Sequence, residues 1–124
     1  MIKQKELSFS LQDLPVVPHY FINIVDGEGL IQLRTDLANN PKYIAFDTET
    51  TGLGPEAEIF GVSIAIGDDE RIGRVKRCYW CNLPYVEDEI SDGIKDIIRT
   101  LFKTDVGLIM HNSIFDIRMV RQTW

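Results

Sequence analysis

The chain contains no apolar run approaching the ~18 residues that cross a bilayer as a helix. Its opening residues, Met1-Ile2-Lys3-Gln4-Lys5-Glu6, lack the continuous apolar core of a signal peptide. No membrane association and a cytoplasmic setting are therefore expected. Cysteine and histidine are scarce, with two of each in 124 residues. Cys78 and Cys81 form C-x₂-C around Tyr79 and Trp80, but a zinc site needs about four ligands and no second pair accompanies them. The histidines, His19 and His111, lie far away in sequence. Three-residue spacing on a strand also sends the two sulfurs to opposite faces, so buried free thiols are expected. Positive charge is short as well: 13 Lys and Arg stand against 19 Asp and Glu, for a net charge of −6.

That balance excludes a simple DNA-binding module that relies on a basic face. It does not exclude a nuclease, because carboxylates that bind metal add negative charge where a phosphate will sit. The cluster Arg71, Arg74, Lys76 and Arg77 offers local positive charge and reads as a solvated hairpin tip. A hydrophobic content of 44% is ordinary for a globular domain and sufficient for a core.

Residues 1–18 carry Pro15 and Pro18 and read as an arm or linker, and residues 19–124 read as one domain. Tyr20 to Val25 predicts a strand. Asp26 suits a helix N-cap, with Leu30, Leu33 and Leu37 at helical spacing before Asn39-Asn40-Pro41 stops the helix. Tyr43-Ile44-Ala45-Phe46 is an apolar strand that delivers Asp47. Gly52, Gly54 and Pro55 break it, Glu58 to Ile66 predicts a second β segment, and Lys76 to Leu83 a third, ended by Pro84. The clearest helix spans Glu87 to Phe102, with Ile90, Ile94, Ile97, Ile98 and Leu101 on one stripe and acids in its first turn. Val106 to Met110 reads as a short strand, and a final helix begins near Ser113. This order describes an α/β domain with a mixed sheet.

The last helix runs into Trp124 with no glycine cap and no following strand. Ile114, Phe115, Ile117, Met119, Val120 and Trp124 leave it apolar around much of its surface, so it expects cover on more than one side. The domain thus reads as C-terminally incomplete, or as completed by another chain, with self-association through this helix a further expectation.

The most informative stretch is Phe46-Asp47-Thr48-Glu49-Thr50-Thr51-Gly52, followed by His111-Asn112-Ser113-Ile114-Phe115-Asp116. Asp47 and Glu49 are two residues apart, so a strand points both from one face. Two like charges so placed repel unless a cation holds them, and hard ions such as Mg²⁺ or Mn²⁺ favour all-oxygen ligands. Ser113-x-x-Asp116 also resembles a capping box, a structural role that a helix N-terminus would favour.

With Asp47-x-Glu49 in F-D-T-E-T-T-G and Asn112-x-x-Phe115-Asp116 opening a helix, residues Tyr20 to Trp124 resemble the first two motifs of the DEDD 3′→5′ exonuclease superfamily. Within it the chain is most similar to the proofreading domain of bacterial and phage family A polymerases. The resemblance implies a ribonuclease H-like fold with flanking helices and a two-metal hydrolysis using Mg²⁺ or Mn²⁺. It implies Asp47, Glu49 and Asp116 as catalytic metal ligands. Thr50 and Asn112 would contact the terminal nucleotide, Leu53 would wedge against its base, and Phe115 would pack near the sugar. The substrate implied is the 3′ end of single-stranded DNA, with a polymerase domain as the companion and a bacterium or phage-infected cell as the setting. The family's third motif, a Tyr or His four residues before an Asp, does not occur after Asp116 in this sequence, and His111 precedes Asn112 and does not fill that role. Little nuclease activity from this chain alone is the expectation. Two other readings are a nuclease-like binding or structural module without catalysis, and an RNA-trimming exonuclease.

Overall fold

The computed structural model describes residues 21–67, 75–104, 107–110 and 113–124. The arm before Phe21, Arg71, Arg74, His111 and Asn112 lie outside them. Five strands form one mixed sheet: β1 (Phe21–Asn23), β2 (Tyr43–Thr50), β3 (Ile59–Gly67), β4 (Val75–Asn82) and β5 (Gly107–Ile109), in spatial order β1-β4-β3-β2-β5. The central meander β2-β3-β4 is antiparallel, while β1 joins β4 and β5 joins β2 in parallel. Three helices accompany it, α1 (Gly27–Ala38), α2 (Asp88–Leu101) and α3 (Ser113–Thr123).

The local signals explain most boundaries. Asp26 caps α1 by accepting from the amides of Glu28 and Gly29 at 3.1 and 3.2 Å. At the other end Asn40 adopts φ 54°, the left-handed conformation that ends a helix, and its amide reaches back to the Leu37 carbonyl. Pro41 then forbids continuation. Pro84 sits in the one-turn 3₁₀ segment Leu83–Tyr85 that closes β4. β2 runs on through Thr50, just short of the expected break at Gly52, because β3 pairs with it through Glu49 opposite Gly61 and, after a register shift, Thr50 opposite Ile59. Asp47 and Glu49 therefore sit inside a hydrogen-bonded strand.

All three helices cover the same side of the sheet. Ile44 and Phe46 of β2, Val62, Ile64 and Ile66 of β3, and Tyr79 and Cys81 of β4 alternate inward and are buried. They share one core with Leu30 and Leu33 of α1, Ile90, Ile94, Ile97, Ile98 and Leu101 of α2, and Met119 and Val120 of α3. Phe46 meets Phe102, at the end of α2, edge to face at 5.7 Å between ring centres. The helices α1 and α2 touch where Gly93 offers no side chain: a Cβ there would stand 2.6 Å from a Leu30 methyl.

The outward row behaves differently. Ala45, Ser63, Ala65, Cys78 and Trp80 are only half-buried, and Asp47 and Glu49 are exposed. The Trp80 indole packs against Gly61, where a Cβ would come within 2.2 Å of the ring, so only glycine admits this packing. Cys78 and Cys81 do fall on opposite faces and are free thiols. Burial pushes Cys81 up to about 11 and raises Cys78 too, so neither is a ready nucleophile.

Two sequence expectations need correction. Arg77 is not solvated with its basic neighbours: its Nε donates to Asp36 Oδ2 at 2.5 Å and its Nη2 to Oδ1 at 3.2 Å. Tyr79 donates to the same carboxylate, tying α1 to β4. The strand's alternation turns Arg77 toward a helix that its local sequence does not reveal. Nor is α3 apolar all round. Its Met119 and Val120 are buried, Phe115, Ile117 and Trp124 are half-buried, and Arg118, Arg121 and Gln122 form its exposed side. The exposed large apolar side chains of the described residues lie elsewhere, including Tyr43 and Ile109 on neighbouring strands.

Asp36 is 5% exposed, a buried charge in need of its partners. Burial works against its ionisation, but the hydrogen bonds from Arg77 and Tyr79, with the Arg77 charge, hold its carboxyl below the usual range. Removing it leaves the half-buried Arg77 uncompensated, and Asp36→Ala is expected to lower stability by about 3 kcal/mol in urea unfolding. The group's folded pKa is depressed, so its stabilisation is complete above the ordinary carboxyl value of ~3.9 and is lost as pH falls through the folded value. Acid unfolding followed by circular dichroism should show that share of the pH dependence in the wild type and not in Asp36→Ala.

Candidate active site

Asp47 and Glu49 occupy the outward row near the carboxyl end of β2. Asp47 stands opposite Ser63, and Glu49 stands opposite Gly61. Immediately beyond Glu49 the register shifts, with Thr50 opposite Ile59 and one β3 residue left over. Such a bulge re-aims the strand end, a device common beside functional sites. Small neighbours leave the acids uncrowded. Ala45, Asp47, Ser63, Ala65, Cys78, Ile109 and Met110 line an open depression of about 550 Å³ on this face.

Between the two acids, Thr48 points the other way. It is 7% exposed, in line with Ile44 and Phe46, and its hydroxyl donates to Asp116 Oδ1 at 2.8 Å. Asp116, in the first turn of α3, is 2% exposed. The predicted acids are thus linked through β2 but divided between its faces: Asp47 and Glu49 outward, Asp116 engaged from the covered side. Among the described residues no three His, Cys, Asp or Glu side chains come together as a ligand group. An exposed, all-oxygen pair on one strand face suits a hard divalent cation such as Mg²⁺ or Mn²⁺. In donor chemistry and access the pair fits such an ion, to which it would offer two protein ligands.

The turn after β2 holds the remaining predicted residues. Thr50 uses its hydroxyl locally, donating to the Gly52 carbonyl at 2.8 Å. Thr51 and Glu58 close the loop by two bonds of 2.9 Å, from the Thr51 amide to the Glu58 carbonyl and from the Glu58 amide to the Thr51 hydroxyl. Leu53, 77% exposed, stands free at its tip. Helix α3 holds this loop from the side. Arg118 donates to the Leu53 carbonyl at 2.9 Å while its guanidinium lies 5.4 Å from the centre of the Phe115 ring. Gln122 reaches the Pro55 carbonyl and, at 3.4 Å, that of Ala57. Leu53 and Phe115, 62 residues apart in sequence, are joined through Arg118.

Sequence reasoning missed Thr48, Arg118 and Gln122. Thr48 left a signal, since it is a hydroxyl in the inward register of a strand whose other inward residues are Ile44 and Phe46. The two α3 residues left none, because polar side chains on an exposed helix face are the ordinary case.

The geometry can be set beside known proteins. Residues 22–123 match the family described as 3′-5′ exonuclease. A search of the curated proteins finds no match. Among solved structures the chain is similar to the Aedes aegypti Nibbler EXO domain, at 17% identity and a TM-score of 0.61 over 87% of this chain. The chain spans 46% of that protein's length. The mixed five-stranded sheet with flanking helices is the ribonuclease H-like exonuclease fold. Among the described residues no helix is long and apolar enough to cross a membrane.

The loop attachments give a direct test. Arg118→Ala or Gln122→Ala should leave global unfolding nearly unchanged but release residues 51–58 from α3. Native-state hydrogen exchange at the amides of Thr51, Ala57 and Glu58 should quicken by roughly fivefold for each hydrogen-bonding side chain lost.

Proposed function

This chain belongs to the DEDD-type 3′–5′ exonuclease family, and on that premise we propose that it supplies metal-binding acids for hydrolysis of the terminal phosphodiester at a single-stranded DNA 3′ end. The observation that carries the reading is the placement of Asp47 and Glu49. They are exposed and adjacent on one strand face, beside a loop that presents Leu53. A divalent ion bound there would supply charge neutralisation at the phosphate and a hydroxide near neutral pH.

The chain's own residues have distinct tasks in this proposal. Asp47 and Glu49 hold the cation, and Asp116 is the third acid, brought to the same strand end by Thr48. Leu53 and Phe115 give the terminal base and sugar an apolar seat, as an exposed leucine and a half-buried aromatic at the loop–helix junction are suited to do. Thr50 and Asn112 are proposed to contact the terminal nucleotide. A proofreading role beside a polymerase domain belongs to this reading. The family resemblance supports it.

The division of the acids between two faces favours a second reading, a nuclease-like domain that binds nucleic acid without cutting it. The two are separable. With Mn²⁺ and 5′-labelled single-stranded DNA or RNA, the proposed enzyme removes nucleotides stepwise from the 3′ end and Asp47→Ala does not. The rate expected for this chain is several orders of magnitude below that of a chain carrying a further acid as metal ligand. A non-catalytic module gives no laddering in either setting, and the DNA and RNA lanes settle the preferred substrate.

A further inference from the structure

We propose that Thr48 is a positioning residue that fixes the α3 acid Asp116 relative to the β2 acid pair, an inference that rests on the metal-site reading above. Thr48 lies between Asp47 and Glu49 in sequence yet belongs to the core face. Its neighbours there are apolar: Ile44 and Phe46 along β2, Val62 directly opposite on β3. A hydroxyl in such a row costs stability unless it is hydrogen-bonded, and a carboxylate 2% exposed costs more. Placing both here, joined by a 2.8 Å bond across 68 residues, is a poor solution for packing alone. A valine facing an apolar residue would fill the same space without burying polar atoms.

The arrangement makes sense as orientation. Each carboxylate of the pair is one residue from Thr48, so anchoring the Thr48 side chain to α3 limits how far Asp47, Glu49 and Asp116 move relative to one another. Partners of this kind, which touch a ligand residue and not the metal, set ligand geometry and typically change metal affinity by 10–100-fold when lost. The threonine hydroxyl donates, and an ionised carboxylate accepts, which suits a residue that holds Asp116 by one oxygen.

The test is Mn²⁺ binding by this chain, read by electron paramagnetic resonance, for the wild type, Asp47→Ala, Thr48→Val and Thr48→Ser. Valine keeps the shape of threonine and loses the hydroxyl, while serine keeps the hydroxyl. The expected result is affinity about tenfold or more weaker in Thr48→Val and near wild type in Thr48→Ser. Circular dichroism at the same temperature would show both variants folded. A folded Thr48→Val with wild-type affinity, alongside an impaired Asp47→Ala, overturns the positioning role alone. Equal binding by the wild type and Asp47→Ala, or no binding by either, removes the metal-site reading and this inference with it. Should Thr48→Val fail to fold, the wild type decides. With its threonine methyl groups ¹³C-labelled, Mg²⁺ titration should shift the Thr48 resonance saturably in the wild type and not in Asp47→Ala, and a stationary Thr48 signal overturns the role.

Discussion

Everything in this structure depends on the alternation of β2. β3 pairs along β2 and β5 pairs with its first residues, Tyr43 to Ala45, so its side chains can only go up or down. In eight residues β2 must seal a core with Ile44, Phe46 and Thr48 and present Asp47 and Glu49 to solvent. A slip of one residue would bury two carboxylates and expose Phe46, a penalty large enough to make the register unambiguous. The antiparallel ladder to β3 on one side and the parallel pairing to β5 on the other hold that register. The acids are then fixed by the same forces that fix the core.

The helices add a second constraint, met by polar atoms. α1 is held over β4 by Asp36, with Arg77 and Tyr79 both donating to it, and α3 is held over β2 by Asp116 and Thr48. Buried charge is a weak source of net stability, because desolvation opposes the attraction. It is a strong source of uniqueness, since a helix that slid along the sheet would leave a carboxylate stranded. Both helices bring leucine, methionine or valine for the general adhesion and one aspartate for the position. Burial also drives the Tyr79 hydroxyl well above its ordinary value, and its bond to Asp36 reinforces this, so that end of the network stays a donor at any physiological pH.

The element order, the caps and the acid pair were legible in the sequence because each is local. Asp26 announces α1, Pro41 and Pro84 mark ends, and the spacing of Asp47 and Glu49 fixes their common face. What was not legible is long-range. Arg77 looked solvated until α1 provided Asp36. Helix α3 looked apolar around much of its surface, yet the spacing of Asp116, Met119 and Val120 gives it one buried stripe. Asp116 itself carried two local readings, cap or ligand. Its engagement by Thr48 is a contact that no window of neighbouring residues contains.

Asp116 is divided from Asp47 and Glu49 by the sheet, while the sheet topology brings the elements that carry them to one edge. β2 and β5 are parallel neighbours, so their carboxyl ends lie at the same edge of the sheet. From that edge the chain leaves β2 through the loop 51–58 and leaves β5 toward α3. In open α/β sheets the crevice outside the carboxyl ends, where neighbouring connections diverge, is where ligands sit. The bulge beyond Glu49 shifts the β2–β3 ladder just before its last pair, Thr50 opposite Ile59, and Arg118 binds the loop that follows to α3. The two faces are thus kept apart for as long as the sheet needs a dry side and a wet side.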